Sequence, residues 1–252
     1  MQSHLAGASL SDPSPRVLLG DDEELVRRVL RALLTSRGYI IYEARSGKEV
    51  LRAASGLRPD VILLDLGLPD IDGIEVIRRV RQFAQTPIII LSVRAAESDK
   101  IEALDAGADD YLTKPYQPAE VCEHIRAAIV RNSSPEEAVR VADNLTVDLQ
   151  RQTVRLGNTI IQLTANEYDV LRVLVVNAGR LLTQRRLARE VWTERSDDEA
   201  LQLLRTTISN LRAKLETDPA RPRHIVTEPG VGYRLRIALD SQTTGEPTGP
   251  PR

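Results

Sequence analysis

The stretch Val61-Ile62-Leu63-Leu64-Asp65-Leu66-Gly67-Leu68-Pro69-Asp70 decides the reading of this chain. Four consecutive apolar residues suit a strand covered on both faces, and the run ends on an acid and a turn-forming segment. A carboxylate at the tip of a buried strand is costly unless it meets charge or does chemistry. Other runs end in the same manner. Asp21 and Asp22 follow Val17-Leu18-Leu19, Ser92 follows Ile88-Ile89-Ile90-Leu91, and Lys114 follows Tyr111-Leu112-Thr113. In a parallel sheet such ends lie side by side, so three carboxylates, a hydroxyl and an ammonium would converge on one crevice.

The sequence around these runs supports that sheet. Apolar runs at 17–19, 40–43, 61–64, 88–91 and 110–113 alternate with amphipathic stretches at 24–36, 47–55, 73–83, 100–106 and 118–130. Alternation of this kind predicts parallel strands joined by right-handed helical crossovers, an α/β doubly wound five-stranded sheet. Such sheets place their site at the carboxyl ends of the strands, at the switch point. Residues 1–15 and 240–252 are rich in Ser, Pro, Gly or Thr and read as disordered tails. A polar, helix-breaking linker is expected at 132–138, separating a domain over 16–131 from a second over 139–239.

The second domain starts with short strand-like pieces at 139–141, 145–148, 153–156 and 159–163. Thr164-Ala165-Asn166-Glu167 fits a capping box that opens a helix to about residue 177, with Gly179 just past its end. Two more helices are expected over 184–192 and 199–216. Strands at 225–227 and 233–237 flank Pro229-Gly230-Val231-Gly232 and read as a hairpin. Helices followed by a hairpin suggest an α+β winged helix-turn-helix domain.

The 252 residues suffice for two domains. No apolar run approaches the roughly 20 residues of a membrane helix, and residues 1–15 lack the pattern of a signal peptide, so a cytoplasmic protein is expected. The single cysteine, Cys122, excludes an internal disulfide and lies in a helical stretch as an inert thiol. The net charge of −2 says little about partners, but its distribution says more: acids cluster early and residues 205–236 are mostly basic.

Phosphoryl transfer to a carboxylate needs an ionised nucleophile, a divalent cation and donors for the equatorial oxygens. Asp21, Asp22 and Asp65 can supply carboxylates to Mg²⁺, Lys114 a cation and Ser92 a hydroxyl. Asp65 is the best nucleophile, held by its Leu-rich strand with room beside Gly67. Each group alone has a plainer reading: an acidic turn, acids at a helix start, an exposed lysine before a proline. Four strand ends each carrying a suitable residue favour the shared site.

These residues carry a resemblance. Residues 16–131, with Asp21-Asp22, Asp65, Leu68-Pro69-Asp70, Asp72-Gly73, Ser92, Tyr111 and Lys114-Pro115, resemble the receiver domain of bacterial two-component response regulators. The resemblance implies that Asp65 accepts phosphate from a sensor histidine kinase. It implies Mg²⁺ on Asp21, Asp22, Asp65 and the carbonyl of Gly67, and a cis peptide between Lys114, which would contact the phosphate, and Pro115. Ser92 would turn towards the phosphoryl group while Tyr111 swings inward as the switch. Gly67 and Arg94 would tune phosphate lifetime.

In the second domain Leu201, Leu204, Ile208, Leu211 and Leu215 form one helical stripe, and Gln202, Thr206, Ser209, Asn210 and Ala213 the opposite face, flanked by Arg205 and Arg212. Such a face is either solvated or a reader of base edges in a major groove, and Arg234 and Arg236 in the hairpin could reach phosphate or a minor groove. Residues 146–237 resemble the winged-helix effector domain of the OmpR/PhoB class through Leu163-Thr164, Glu167-Tyr168, Val191-Trp192, 208–215 and Gly230-Val231-Gly232-Tyr233-Arg234. That class implies a homodimer formed on phosphorylation, double-stranded promoter DNA bound at direct repeats, and contact of RNA polymerase with the loop at 193–198. The stretches 64–70 and 218–225 are similar to the potassium-transport (Kdp) subfamily, which implies a potassium-uptake operon and a Kdp-type kinase.

The resemblance also implies charge pairs across the dimer, for which Lys100 with Glu120 and Asp105 with Arg126 are the candidates. At the position of the usual arginine partner of Asp110 stands His124, a tolerated substitution or a weaker, pH-sensitive contact. His4 and His224 look incidental. The chain therefore reads as a transcription factor and not an enzyme. An aspartyl-phosphate phosphohydrolase would carry an acid two residues after the nucleophile, where Gly67 stands. A regulator independent of phosphorylation stays open.

Overall fold

The computed structural model describes residues 14–133, 139–140 and 144–236. Most of the expected tails and of the expected linker lies outside the described residues, and Asn132 and Ser133, expected in the linker, are instead helical. The first domain runs β1 (Arg16–Gly20), α1 (Glu24–Thr35), β2 (Ile40–Ala44), α2 (Gly47–Leu57), β3 (Val61–Leu64), α3 (Gly73–Arg81), β4 (Ile88–Ser92), α4 (Glu97–Asp105), β5 (Asp110–Thr113) and α5 (Pro118–Ser133). The five strands are parallel, in the order β2-β1-β3-β4-β5, so the order reverses beside β1 and β3.

Side chains alternate across a strand, and here they feed two cores. Leu18, Ile62, Leu64, Ile88 and Ile90 pack with Val50, Ile77, Val80 and Leu104 on one face. Val17, Leu19, Val61, Leu63, Ile89 and Leu91 pack with Leu30, Leu34, Val121, Cys122 and Ile125 on the other. The apolar runs are continuous because both faces are covered, and Cys122 is a buried core residue. The stretch expected as a helix over 100–106 starts earlier, at Glu97.

The second domain opens with an antiparallel sheet of β6 (Val139–Arg140), β7 (Leu145–Asp148), β8 (Thr153–Leu156) and β9 (Thr159–Ile160). Next come α6 (Ala165–Val176), β10 (Leu181–Thr183), α7 (Gln184–Val191), α8 (Asp197–Leu215), β11 (Ile225–Glu228) and β12 (Gly232–Leu235). The capping box of α6 is present: Thr164 Oγ1 accepts from the Glu167 amide and Glu167 accepts from the Thr164 amide. Lys214 anchors the same carboxylate at 2.6 Å, tying α8 to the start of α6. Strand β10 was not foreseen. Its three residues pair with β12 to make the sheet β10-β12-β11. Gly232 is required there, because a side chain would run into the Leu182 carbonyl of β10.

The two domains touch. Leu181 and Val231 of the second domain are buried in the apolar cluster of the first. The Leu181 amide donates to the Asp109 carbonyl at 3.1 Å. Around this contact Asp110 binds Arg234 through two hydrogen bonds, Asp109 meets Arg180 Nε at 2.6 Å, Lys100 meets Glu228 at 3.1 Å, and Thr183 donates to Asp105 at 2.8 Å. A cleft of about 680 Å³ beside it is lined by Arg78, Ile101, Gln184, Arg205 and Val231 among others.

Candidate functional site

Three strand ends build the crevice. The Asp65 amide donates to the Gly20 carbonyl at 2.8 Å, and the Lys114 amide to the Ser92 carbonyl at 2.8 Å. The ladder thus continues one residue past each strand and fixes where the side chains leave it. Carboxylate oxygens of Asp21, Asp22 and Asp65 lie within 4.8 Å of one another. Lys114 Nζ stands 2.8 Å from both Asp21 and Asp65. Asp21 is 1% and Asp65 7% exposed, while Asp22 is open to solvent, so the cluster is a recess with one wet wall. The Lys114–Pro115 peptide is cis.

The electrostatics follow from burial. Desolvation raises the Asp21 pKa, and the hydrogen bonds from Lys114 and the Glu23 amide offset only part of that, so it stays above the ordinary carboxylate value. Burial would lower Lys114, but hydrogen bonds and charge from Asp21 and Asp65 outweigh it and hold its pKa above that of a free lysine. An isolated pair would push the acid down. Asp21 goes the other way because it is the more deeply buried partner and has Asp65 as a like-charged neighbour. Oxygen donors at this spacing suit a hard divalent cation such as Mg²⁺, which takes one or a few carboxylates and keeps waters.

Arg27 completes the recess and escaped the sequence reading. Its Nη1 donates to the carbonyls of Asp21 (2.7 Å) and Asp22 (2.8 Å), and the residue is 3% exposed. The signal was an arginine within the stripe Arg27, Leu30, Leu34 of α1. Asp70 and Asp72 act as caps. Asp70 accepts from the amides of Gly47 and Lys48 at the start of α2, and Asp72 from Ile74 at the start of α3. Gly67 is exposed, and its amide donates to Asp65 at 3.2 Å.

Ser92 is buried, and its hydroxyl accepts from the Arg94 amide at 3.3 Å. Tyr111 is 6% exposed and donates to the Arg94 carbonyl at 2.6 Å. Tyr111 shares an apolar cluster with Leu181 and Val231 of the second domain.

On α8, Gln202, Arg205, Thr206, Ser209 and Asn210 are all exposed, opposite the buried Leu204, Ile208, Leu211 and Leu215. Two expected DNA contacts are turned elsewhere. Arg212 donates to the Ile225 carbonyl and to Thr227 Oγ1 and lies over the Tyr233 ring, so it clasps the hairpin. Arg234 is bound to Asp110. Arg236 is exposed. The loop expected at 193–198 is exposed throughout, but Asp197 and Asp198 belong to α8.

The expected dimer residues are also redistributed. Lys100, Asp105 and Asp110 meet the second domain, and Glu120 accepts from the Gln117 amide at 3.3 Å. Arg126 lies two positions beyond His124, about 200° round the helix, and interacts with the Tyr39 phenol. His124 Nδ1 shares Asp110 with Arg234. Burial alone would raise the Asp110 pKa, but the charge of Arg234 and the hydrogen bond from His124 hold it well below the usual carboxylate range.

Two family models match: the response regulator receiver domain over residues 17–126, and the C-terminal domain of transcriptional regulatory proteins over residues 157–235. The chain belongs to the response regulators of two-component systems, in the OmpR/PhoB class that joins a receiver to a winged-helix DNA-binding domain, and it regulates transcription. Among its relatives is the KDP operon transcriptional regulatory protein KdpE of Escherichia coli, 46% identical over 88% of this chain and 99% of that protein. The transcriptional regulatory protein KdpE of Mycobacterium tuberculosis is 44% identical over 87% and 98% respectively. A solved structure, the response regulator DrrB, a Thermotoga maritima OmpR/PhoB homologue, aligns over 88% of this chain and 99% of that one at 27% identity, with a TM-score of 0.47. No described helix is long and apolar enough to cross a membrane.

Proposed function

We propose that Asp65 is the phosphoacceptor and that its phosphorylation switches the chain from a poor to a good DNA binder. The observation that carries this reading is the placement of Lys114 Nζ 2.8 Å from Asp65, in a recess where three carboxylates gather. Asp65 attacks the phosphorus of a phosphohistidine on a sensor kinase. One P–N bond breaks, one P–O bond forms, and the imidazole leaves. Asp21, Asp22, Asp65 and the Gly67 carbonyl would hold Mg²⁺, which supplies charge neutralisation for the transferring group. Lys114 and Ser92 donate to its oxygens, and Arg27 keeps the Asp21–Asp22 backbone in place.

Transfer leaves no released product of the chain's own, so the role is regulatory rather than enzymatic. Phosphate favours a homodimer through α4, β5 and α5, which brings two effector domains to direct repeats in promoter DNA. Gln202, Arg205, Thr206, Ser209 and Asn210 face the major groove, and Arg236 reaches backbone. The exposed loop before α8 meets RNA polymerase, and the protein works in the cytoplasm, where its promoter lies. The KdpE relatives support a potassium-uptake operon as target and a Kdp-type kinase as donor.

The test is incubation with Mg²⁺ and a small-molecule phosphodonor, read by intact mass and light scattering. Wild type is expected to gain one phosphoryl group and dimerise, and Asp65→Asn to do neither. A phosphoryl group retained by Asp65→Asn would overturn the assignment. Transcription from a potassium-uptake promoter that ignores deletion of the gene would overturn the choice of regulon.

A further inference from the structure

A buried arginine stands beside the proposed metal site, where its charge has the wrong sign. Arg27 is 3% exposed, and its Nη1 holds both carbonyls of the loop that carries Asp21 and Asp22. The guanidinium cannot withdraw without releasing them. A fixed positive charge there repels a divalent cation held by the carboxylates of the same two residues. A buried charge also needs a partner of opposite sign. Among the described residues Arg27 Nε has no hydrogen-bond acceptor, and the group it faces is Glu43, whose Oε2 stands 3.7 Å away. Such a pair acts through charge rather than through bond geometry. The other oxygen of Glu43 meets Arg31, one turn further along α1, at 3.3 Å. Glu43 lies on the edge strand β2, level with Leu19, and the Asp21 amide donates to the carbonyl of the next residue, Ala44, at 3.1 Å. The carboxylate is thus held in register with the loop, although it shares no hydrogen bond or ion pair with Asp21, Asp22 or Asp65 among the described residues.

We propose that Arg27 and Glu43 together set the Mg²⁺ affinity of the acceptor site. Arg27 positions the Asp21–Asp22 loop, and Glu43 cancels the charge which that positioning brings in. Both are positioning residues, since neither would touch the metal or the transferring group. A lysine cannot replace Arg27, because a compact ammonium lacks the planar fork that serves two carbonyls and faces Glu43 at once. The inference rests on the proposed Mg²⁺ site, but metal binding is measured without phosphate, kinase or DNA.

The decisive variants are at Glu43, which is partly exposed and can change without emptying the core. In calorimetric titration of the full-length chain with Mg²⁺, Glu43→Gln is expected to bind about tenfold more weakly than wild type, at the low end of what outer-shell changes cost. Glu43→Asp keeps the charge and is expected to stay within about twofold, since attraction between charges falls only gradually with distance. Arg31→Gln breaks the same Arg31–Glu43 pair but removes a cation, so it is expected to bind at least as tightly as wild type. With a small-molecule phosphodonor, Glu43→Gln should need more Mg²⁺ for its half-maximal rate yet reach the wild-type maximum, whereas Arg27→Lys should fall short of that maximum at any Mg²⁺ concentration. Equal Mg²⁺ affinity in wild type and Glu43→Gln would overturn the inference. Arg31→Gln weakened as much as Glu43→Gln would overturn it too, by reducing both effects to a loosened sheet edge. A wild type that takes no Mg²⁺ would remove the metal site itself, so the two readings fail separately.

Discussion

Lys114 and Asp21 form the most consequential pair of residues. Lys114 stands 2.8 Å from both Asp21 and Asp65, so a Mg²⁺ held as proposed would share these carboxylates with an ammonium. Lys114→Ala is expected to tighten Mg²⁺ binding in calorimetric titration while slowing phosphoryl transfer by about 10²-fold, a typical effect of removing one oxyanion donor. Because the Asp21 pKa is raised, protons compete with the metal earlier than at an ordinary carboxylate. Mg²⁺ affinity should therefore begin to fall, as pH is lowered, above the roughly 3.9 of a free aspartate. The strengthened Lys114 works in the opposite pH sense. Its raised pKa contributes stability that is complete below about 10.4 and is lost only as pH rises through the higher folded value. Arg27→Met would strand two carbonyls beside the site. A loss of about 2–4 kcal/mol in denaturant unfolding is expected, with weaker Mg²⁺ binding.

At the scale of elements, α8 separates stability from recognition. Leu211→Ala removes a fully buried side chain and should cost about 2–5 kcal/mol, whereas Asn210→Ala, on the exposed face, should leave the melting temperature nearly unchanged and weaken specific DNA binding. Both are read by thermal unfolding and fluorescence anisotropy. Strands and helices of the receiver were legible because its core has two faces, so apolar runs are continuous and their polar ends stand out. The stripe of α8 was legible for a similar reason. What the wheel does not give is the neighbour. Arg212 flanks the stripe, and only the fold shows that it reaches the hairpin carbonyl at Ile225. Strand β10 is three residues long and owes its shape to pairing with β12, a partner some fifty positions away, so local pattern carried no trace of it.

For the whole molecule, the contact between domains gathers residues 124 positions apart, Asp110 and Arg234, and no sequence signal marks such a pair. Its pH behaviour follows from Asp110. A lowered folded pKa means that the stabilisation is present above about 3.9 and is lost as pH falls through the lower folded value. Wild type should therefore stay docked through pH 4 in small-angle scattering, while Asp110→Asn should be expanded already at pH 7.

The acceptor recess has one more property. Asp21 and Lys114, which meet across it, are 93 positions apart in the chain. At a synthesis rate of about 5–20 residues per second, a ribosome needs roughly 5–20 s to pass from one to the other. Once Asp65 has been made and until Lys114 is, a nascent chain carries all three aspartates but lacks the lysine. The proposed acceptor site is thus complete only late, when the last strand of the sheet and the lysine after it have been made.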